Sequence, residues 1–472
     1  WDVGVHAVGE VTTKSMTGRL LAQLTRNKLQ WASLGEVYDE FHFPDGFHID
    51  FPDNPEQFRD NLYEAFPEDR DAIDAYLAKV KEVAGAMKPY YLARTLPPQV
   101  AGRPITALSD KLLARKAQRF LEQKTAAVLD EITDNQKLRT VLTSQFGYYG
   151  STPSRSSFAI QALVTKHFMW GGYYPVGGSK EIARHLLQTV ADGGGWTRIK
   201  ADVEEIVVEE GTATGVRLKN GELIRAGKVI SAAGIGATVN RMLAPEYRGD
   251  WAEEVTQLPP APAHVCLYLG FEGDIRRAGA SAANKWFYET WSCEDDYWEV
   301  RPDQDEQPEA PVLYCSFPSL KDPAHDPGEK IRHTGEVVTF APWESFQMWQ
   351  SEPWKKRGDA YAAWKEKLKD QLLAQFFRHM PELKEMTVYV EMSTPVSTDT
   401  FVRPQRGSIY GLEPTPERFA CPWLRPRSPV DGLLFAGSEV ATVGVIGARM
   451  GGVLAALWAE RGALFRYLNP FF

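Results

Sequence analysis

Residues Asp431 to Glu460, reading DGLLFAGSEVATVGVIGARMGGVLAALWAE, constrain the fold more than any other stretch of the chain. Leu433 to Ala436 form an apolar run of the length of one buried parallel strand, and Gly437 lets the backbone turn where a side chain would obstruct a close ligand. Glu439 follows at the strand exit. Gly444, Gly447, Gly451 and Gly452 then open a small-residue helix, whose first unpaired N–H groups can face an anion or the electron-rich edge of a ring. Glycines also let a helix lie close on a sheet, so tight packing without any ligand is the competing explanation.

A second segment, Tyr173 to Leu243, continues the pattern. Pro175, Gly177 and Gly178 predict a turn, and Ser179 is placed to cap a helix over 180–191 with Ile182, Ala183, Leu186, Leu187 and Val190 on one apolar face. Three strands follow, around Val203 to Val208, Ala213 to Leu218 and Leu223 to Arg225. Their turns fall at Glu210-Gly211 and Asn220-Gly221, the latter a strong hairpin signal. Val229 to Ala233 is a further apolar strand that ends at Gly234.

Glycine turn, helix, meander and an apolar strand closing on AAG form an order that resembles the flavin-dependent phytoene desaturase and carotenoid isomerase superfamily. The similarity is greatest to its retinol-saturase-like and phytoene-dehydrogenase-like branch. WDVGVHAVGE, YYPVGGS, GSIYGLEPTP and FAGSEVATVGVIGARMGG carry the resemblance, which spans most of the chain. It implies a mixed α/β (α+β) fold in which an FAD/NAD(P)-binding Rossmann-like domain is assembled from discontinuous segments, 1–10, 171–250 and 387–472. A mixed sheet-and-helix substrate domain takes 11–170 and 251–386. FAD is the implied cofactor, with contacts at Gly4, Val203, Gly437, Glu439, Gly444, Val445, Ile446 and Gly447. The family's opening strand, GxGxxG turn and helix have no counterpart in the sequence. The nearest imitation, GIGATV after Val229, lies at a later strand end, so the chain reads as lacking a unit of roughly 30 residues or more.

The activity implied is oxidation or reduction of C–C bonds in an apolar isoprenoid or polyene lipid. A carotenoid-type cis–trans isomerase without net redox change is one alternative, and a non-catalytic lipid carrier or scaffold is another. His6 and Tyr410 are the candidate catalytic side chains, each with a purely structural role as its rival. The segment around Ser438 lacks the GxSxG elbow of a serine nucleophile. No second nucleotide turn is evident, which leaves the electron partner open.

Composition narrows the classes further. The 472 residues, 43% of them apolar, suffice for two or more domain cores, and a net charge of −9 argues against a nucleic-acid partner. Cys266, Cys293, Cys315 and Cys421 show no CxxC spacing and the nine histidines no HExxH, so no metal is expected and a reducing, cytoplasmic setting is the default. Apolar and aromatic residues that can line a tunnel are plentiful: Phe146, Tyr148, Tyr149, Phe168, Trp170, Tyr173, Trp286, Phe287, Tyr288, Trp291, Phe340, Trp343, Phe346, Trp349 and Trp354. Fewer than half are expected to touch a ligand. Lys79 to Lys124 carries ten basic against three acidic residues. With Tyr90, Tyr91, Leu92 and Leu96 beside helix-discouraging prolines, 79–124 reads either as a peripheral membrane contact or as a solvated helical face. Helices are expected over Asp69 to Ala86, Lys111 to Ile132 and Asp359 to Arg378, strands over His264 to Phe271 and Val312 to Phe317, and a surface loop over Arg301 to Pro311. Residues 11–170 are expected to be mostly helical.

Overall fold

In the computed structural model the described residues are 2, 6–95, 114–294 and 297–460. The chain forms β1 (Trp31–Ser33), β2 (Val37–His42) and β3 (His48–Pro52), crosses a helical stretch, and returns as β4 (Tyr173–Pro175). A meander follows, β5 (Val203–Glu209), β6 (Thr212–Leu218) and β7 (Leu223–Arg225), then β8 (Val229–Ser231). Next come β9 (Ala263–Glu272), β10 (Asn284–Tyr288), β11 (Val312–Ser316), β12 (Arg332–Ala341) and β13 (Thr387–Ser393), and last β14 (Leu433–Phe435).

β14 pairs in parallel with β8, Leu433 opposite Val229 and Phe435 opposite Ser231. The helix Gly444–Ala459 returns over β14 so closely that a Cβ on Gly451 would stand 2.0 Å from the Gly437 carbonyl oxygen. Glycine at 451 is therefore a packing requirement of the helix–strand unit. The sequence places these elements to within a residue or two, because strand, turn and helix all lie in one continuous segment.

The second unit is a seven-stranded sheet ordered β13-β9-β12-β11-β10-β2-β3. Its pairs are antiparallel except β10 with β2. Alternation sends Trp286, Tyr288 and Tyr314 into one core and Phe287, Leu313 and Cys315 into another, so the central strands are buried on both faces. Each such large apolar side chain contributes about 1.5–3 kcal/mol on burial. The long helices Arg70–Thr95 and Gly358–His379 cover opposite sides, with Tyr76 and Val83 in the first core and Leu368 and Leu372 in the second.

Several elements depart from the sequence expectations. The described part of 11–170 is mostly helical, as expected, and also supplies β1 to β3, two of which extend the large sheet. The helix from Arg70 runs through Pro89 to Thr95, with Gly85 at the carbonyl that the proline ring crowds. The helix expected over Lys111 to Ile132 is broken where Lys124 bridges to Ser157, leaving helical turns over 114–122 and Thr125–Asp130. Ser179 makes no side-chain cap, and the apolar face predicted for the helix Lys180–Asp192 is largely in water, Leu187 being 44% and Val190 45% exposed. That helix is held instead by polar contacts, Thr189 Oγ1 donating to the Leu24 carbonyl at 2.7 Å and Arg26 pairing with Asp192 at 2.5 Å. No helix among the described residues is long and apolar enough to cross a membrane.

Candidate active site

A cavity of about 380 Å³ lies where the N-terminus of the helix Gly444–Ala459 meets the large sheet. Val443 to Gly447 form one wall, His264, Cys266, Tyr314, Thr339 and Phe340 another, and the segment His6 to Val8 a third. Tyr148, Phe168, Trp286 and Phe340 are the members of the fifteen-residue aromatic set that line it. Trp343 and Phe346 belong to the core on the far side of the sheet, and Trp170 is 62% exposed. Tyr268 and Tyr314 line the cavity without having been singled out from the sequence, and Tyr91, read there as part of a membrane contact or solvated face, lines it too.

The helix that opens on the cavity has Val443 at its N-cap position and no side-chain cap. Its first N–H groups face the region lined by Gly444, Val445, Ile446 and Gly447, where a partial positive charge accumulates. Gly444 has φ +79° and nothing within 4 Å of an added Cβ, so the backbone there is open to a close planar ligand. One turn on, Arg449 donates to the Thr17 carbonyl at 2.6 Å, while its Nε and Nη2 have no hydrogen-bond partner among the described residues. Burial lowers its guanidinium pKa, against the nearby charge of Glu10. Open glycine backbone and uncapped helix amides suit a group with an anionic or electron-rich edge; Arg449 does not line the cavity.

Glu439 lies behind this wall and does not line the cavity. Its carboxylate accepts the Ile235 N–H at the start of the next helical turn and would crowd a Cβ on Gly411 at 2.7 Å. Burial raises its pKa, with hydrogen bonds from Ile235 and the charge of Arg418 opposing. Arg418, itself 2% exposed, donates to the carbonyls of Leu412 and Ser438 and so fixes the same turn. Gly437, φ +99°, sits at the strand exit outside the cavity lining, and Val203 begins β5 on the meander, also outside it. Gly4 lies outside the described residues.

His6 and Tyr410 both reach the cavity. The Tyr410 hydroxyl donates to the Gly147 carbonyl at 2.9 Å, and burial pushes its pKa up, so the phenol is a protonated, engaged wall group. His6 is different. Its Nδ1 stands 3.0 Å from Oε2 of Glu336, a carboxylate 1% exposed, though not aligned for a hydrogen bond. Glu336 Oε1 accepts the Asp2 N–H at 2.5 Å, and the Tyr314 ring meets the imidazole edge-on at 5.2 Å.

A polar network supports this wall from behind. Lys321 Nζ donates to the His6 carbonyl at 2.9 Å, to Ser316 Oγ at 2.7 Å and to Asn284 Oδ1. Asn284 also accepts from Tyr314 at 2.8 Å and donates to Asp39 at 2.8 Å, and Asp39 accepts from Tyr148 at 2.6 Å. Burial pushes Asp39 up to about 6, against the hydrogen bonds from Tyr148, Asn284 and Gln145. Burial brings Lys321 down to about 8, against the charges of Glu336, Asp39 and Asp2. Three further polar atoms on the cavity wall, His264 Nδ1, Thr339 Oγ1 and Ser408 Oγ, have no hydrogen-bond partner among the described residues. Burial holds His264 down to about 4, so it stays neutral near pH 7. A mostly apolar cavity with a few orphaned polar atoms suits an apolar molecule carrying a polar end.

The chain is 28% identical over 469 residues to an all-trans-retinol 13,14-reductase of Danio rerio, covering 96% of this chain and 76% of that protein. It is 24% identical over 434 residues to a chloroplastic prolycopene isomerase of Daucus carota, covering 88% and 65% respectively. Among solved structures, an oxidoreductase from Methanosarcina mazei superposes with a TM-score of 0.61 at 12% identity, covering 97% of this chain and 87% of that one, which shows a shared fold. The profile of flavin containing amine oxidoreductases matches residues 1–457, and the chain therefore belongs to that family of FAD-dependent oxidoreductases.

Proposed function

We propose that the protein reduces a C=C bond of a retinoid-like polyene that carries a polar end group. The observation that carries this reading is the apolar cavity itself, which joins the open helix terminus at Gly444 to the His6–Glu336 pair and to the orphaned polar atoms of Thr339 and Ser408. The extent of the similarity to the retinol reductase supports the same direction. When bound, the flavin supplies the two-electron exchange. Gly444 to Gly447 would hold it, while Glu439 and Arg418 position the turn between β14 and that helix. The flavin side of the site belongs to 1–10, 171–250 and 387–472, and the substrate side to 11–170 and 251–386.

Saturating a double bond also requires a proton on the second carbon. With Nδ1 turned to Glu336, the His6 ring has Nε2 left to hold that proton at the cavity wall. Tyr148, Phe168 and Trp286 keep the polyene in place and water out. Replacing His6 with alanine is expected to lower kcat by about 10²-fold or more, the usual share of a general acid, with a smaller effect on KM. E336Q should follow it part of the way.

The substrate enters across an apolar lip. Met16 and Val402 line the cavity yet are 57% and 64% exposed, and Phe401, 64% exposed, packs edge-on to Trp354 at 5.1 Å. Lys355 stands over the Trp354 ring and Arg403 follows Val402, a mixture that suits an anionic membrane surface. Within the other segment proposed for membrane contact, 79–124, Tyr90 is buried and Tyr91 lines the cavity, while residues 96–113, with Leu96, lie outside the described residues. Flotation with anionic vesicles should retain the wild type and lose F401E/V402E.

The functional test is product mass. Protein loaded with FAD and given reductant and all-trans-retinol should yield a product two hydrogens heavier. Product of unchanged mass would favour the isomerase alternative, and no turnover of any polyene tested would favour the carrier.

A further inference from the structure

The hairpin formed by β2 and β3 carries a cluster that the reaction does not use. Glu40 and His42 on β2 stand directly opposite Asp50 and His48 on β3, so all four side chains project from one face. The segment EFHFPDGFHID makes the arrangement symmetric about a tight turn, closed by the Phe43 N–H donating to the Phe47 carbonyl at 2.8 Å. Ligand atoms of Glu40, His42 and His48 all lie within 4.8 Å of one another. His48 Nε2 is 3.0 Å from Asp50 Oδ1, and His42 Nε2 is 4.0 Å from Glu40 Oε2.

Two features distinguish this group from an ordinary solvated strand face. His42 Nε2 is buried without a hydrogen-bond partner among the described residues, although it points into a cluster of potential ligands. The two imidazoles lie 4.6 Å apart, and Phe287 stacks on His42 at 4.8 Å, which fixes that ring's plane. The remaining groups facing the cluster are Lys285, whose ammonium pairs with Glu40, and Ser281, which donates to Glu40 at 2.9 Å.

We propose that this face binds one borderline divalent cation of the Zn²⁺ class through His42, His48 and Glu40, with Asp50 as the fourth ligand. Two imidazoles and two carboxylates form a donor set that suits zinc and not Mg²⁺ or Ca²⁺. Ligand distances of about 2.0–2.2 Å require the side chains to close in by rotation, without movement of the paired backbone. Binding displaces the Lys285 ammonium from Glu40. The cation would staple β3, the edge strand of the large sheet, to β2, whose opposite face carries Asp39 behind the cavity wall. Motif spacing does not reveal this site because strand register, and not helical periodicity, brings its ligands together.

The test is calorimetric titration of the metal-stripped, FAD-loaded full chain with Zn²⁺, with Mg²⁺ as a comparison. One Zn²⁺ per chain is expected, weakened about tenfold or more in H42Q and in H48Q. H325Q, altered at the separate His325–His333 pair, should bind as the wild type does. K285Q should bind several-fold more tightly, because the competing cation on Glu40 is gone, and a gain cannot arise from misfolding. No saturable Zn²⁺ binding, affinity unchanged in either histidine variant, loss in H325Q, or unchanged affinity in K285Q would overturn the assignment.

Discussion

Asp39 shows how a residue remote from the chemistry can govern the site. Its carboxyl, ordinarily near 3.8, is raised to about 6 by burial behind Tyr148. The folded state therefore holds this proton more tightly than the unfolded chain does. Stability from this group is full below the ordinary value and is lost as pH rises through about 6. D39N keeps an acceptor for Tyr148 and carries no charge. In denaturant titrations its stability relative to wild type should rise with pH across that window and then level off, and a difference constant with pH would contradict the assignment. At this scale the sequence was only partly legible. His6 stood out because it lies in a recognisable segment, whereas Glu336 is a single acid within an apolar strand and acquires meaning only where β12 passes His6.

Elements were read best where their defining contacts are local. The unit of β14 and the helix Gly444–Ala459 lies in one segment, and its glycines announce it. They do not share one role: Gly447 and Gly451 are fixed by close backbone approach, while Gly452 has nothing within 4 Å of an added Cβ. G451A should lower stability by about 1–3 kcal/mol or more through overpacking against Gly437. G452A should be neutral or stabilising by up to about 1 kcal/mol, the usual gain in helix propensity. Equal effects in urea denaturation would contradict this division. The β2–β3 hairpin was missed because EFHFPDGFHID mixes charge, histidine and aromatics on alternate residues, and its register partners lie far along the chain on β10.

For the whole molecule, the sheet order β13-β9-β12-β11-β10-β2-β3 was not legible, since it depends on pairings between strands separated by helices and loops. That order brings His264, Tyr314, Thr339 and Glu336 to one wall opposite the helix terminus at Gly444. Fold class and cofactor followed from short segments, while the shape and polarity of the cavity emerged only from tertiary structure. The proposed reaction has this cavity deliver hydrogen to a polyene. The most direct measurement is a single anaerobic turnover in which the FAD-loaded protein, fully reduced beforehand, is mixed rapidly with all-trans-retinol. The account predicts that flavin absorbance returns in step with one equivalent of product two hydrogens heavier. Flavin that stays reduced while the retinoid is recovered at its original mass would contradict it.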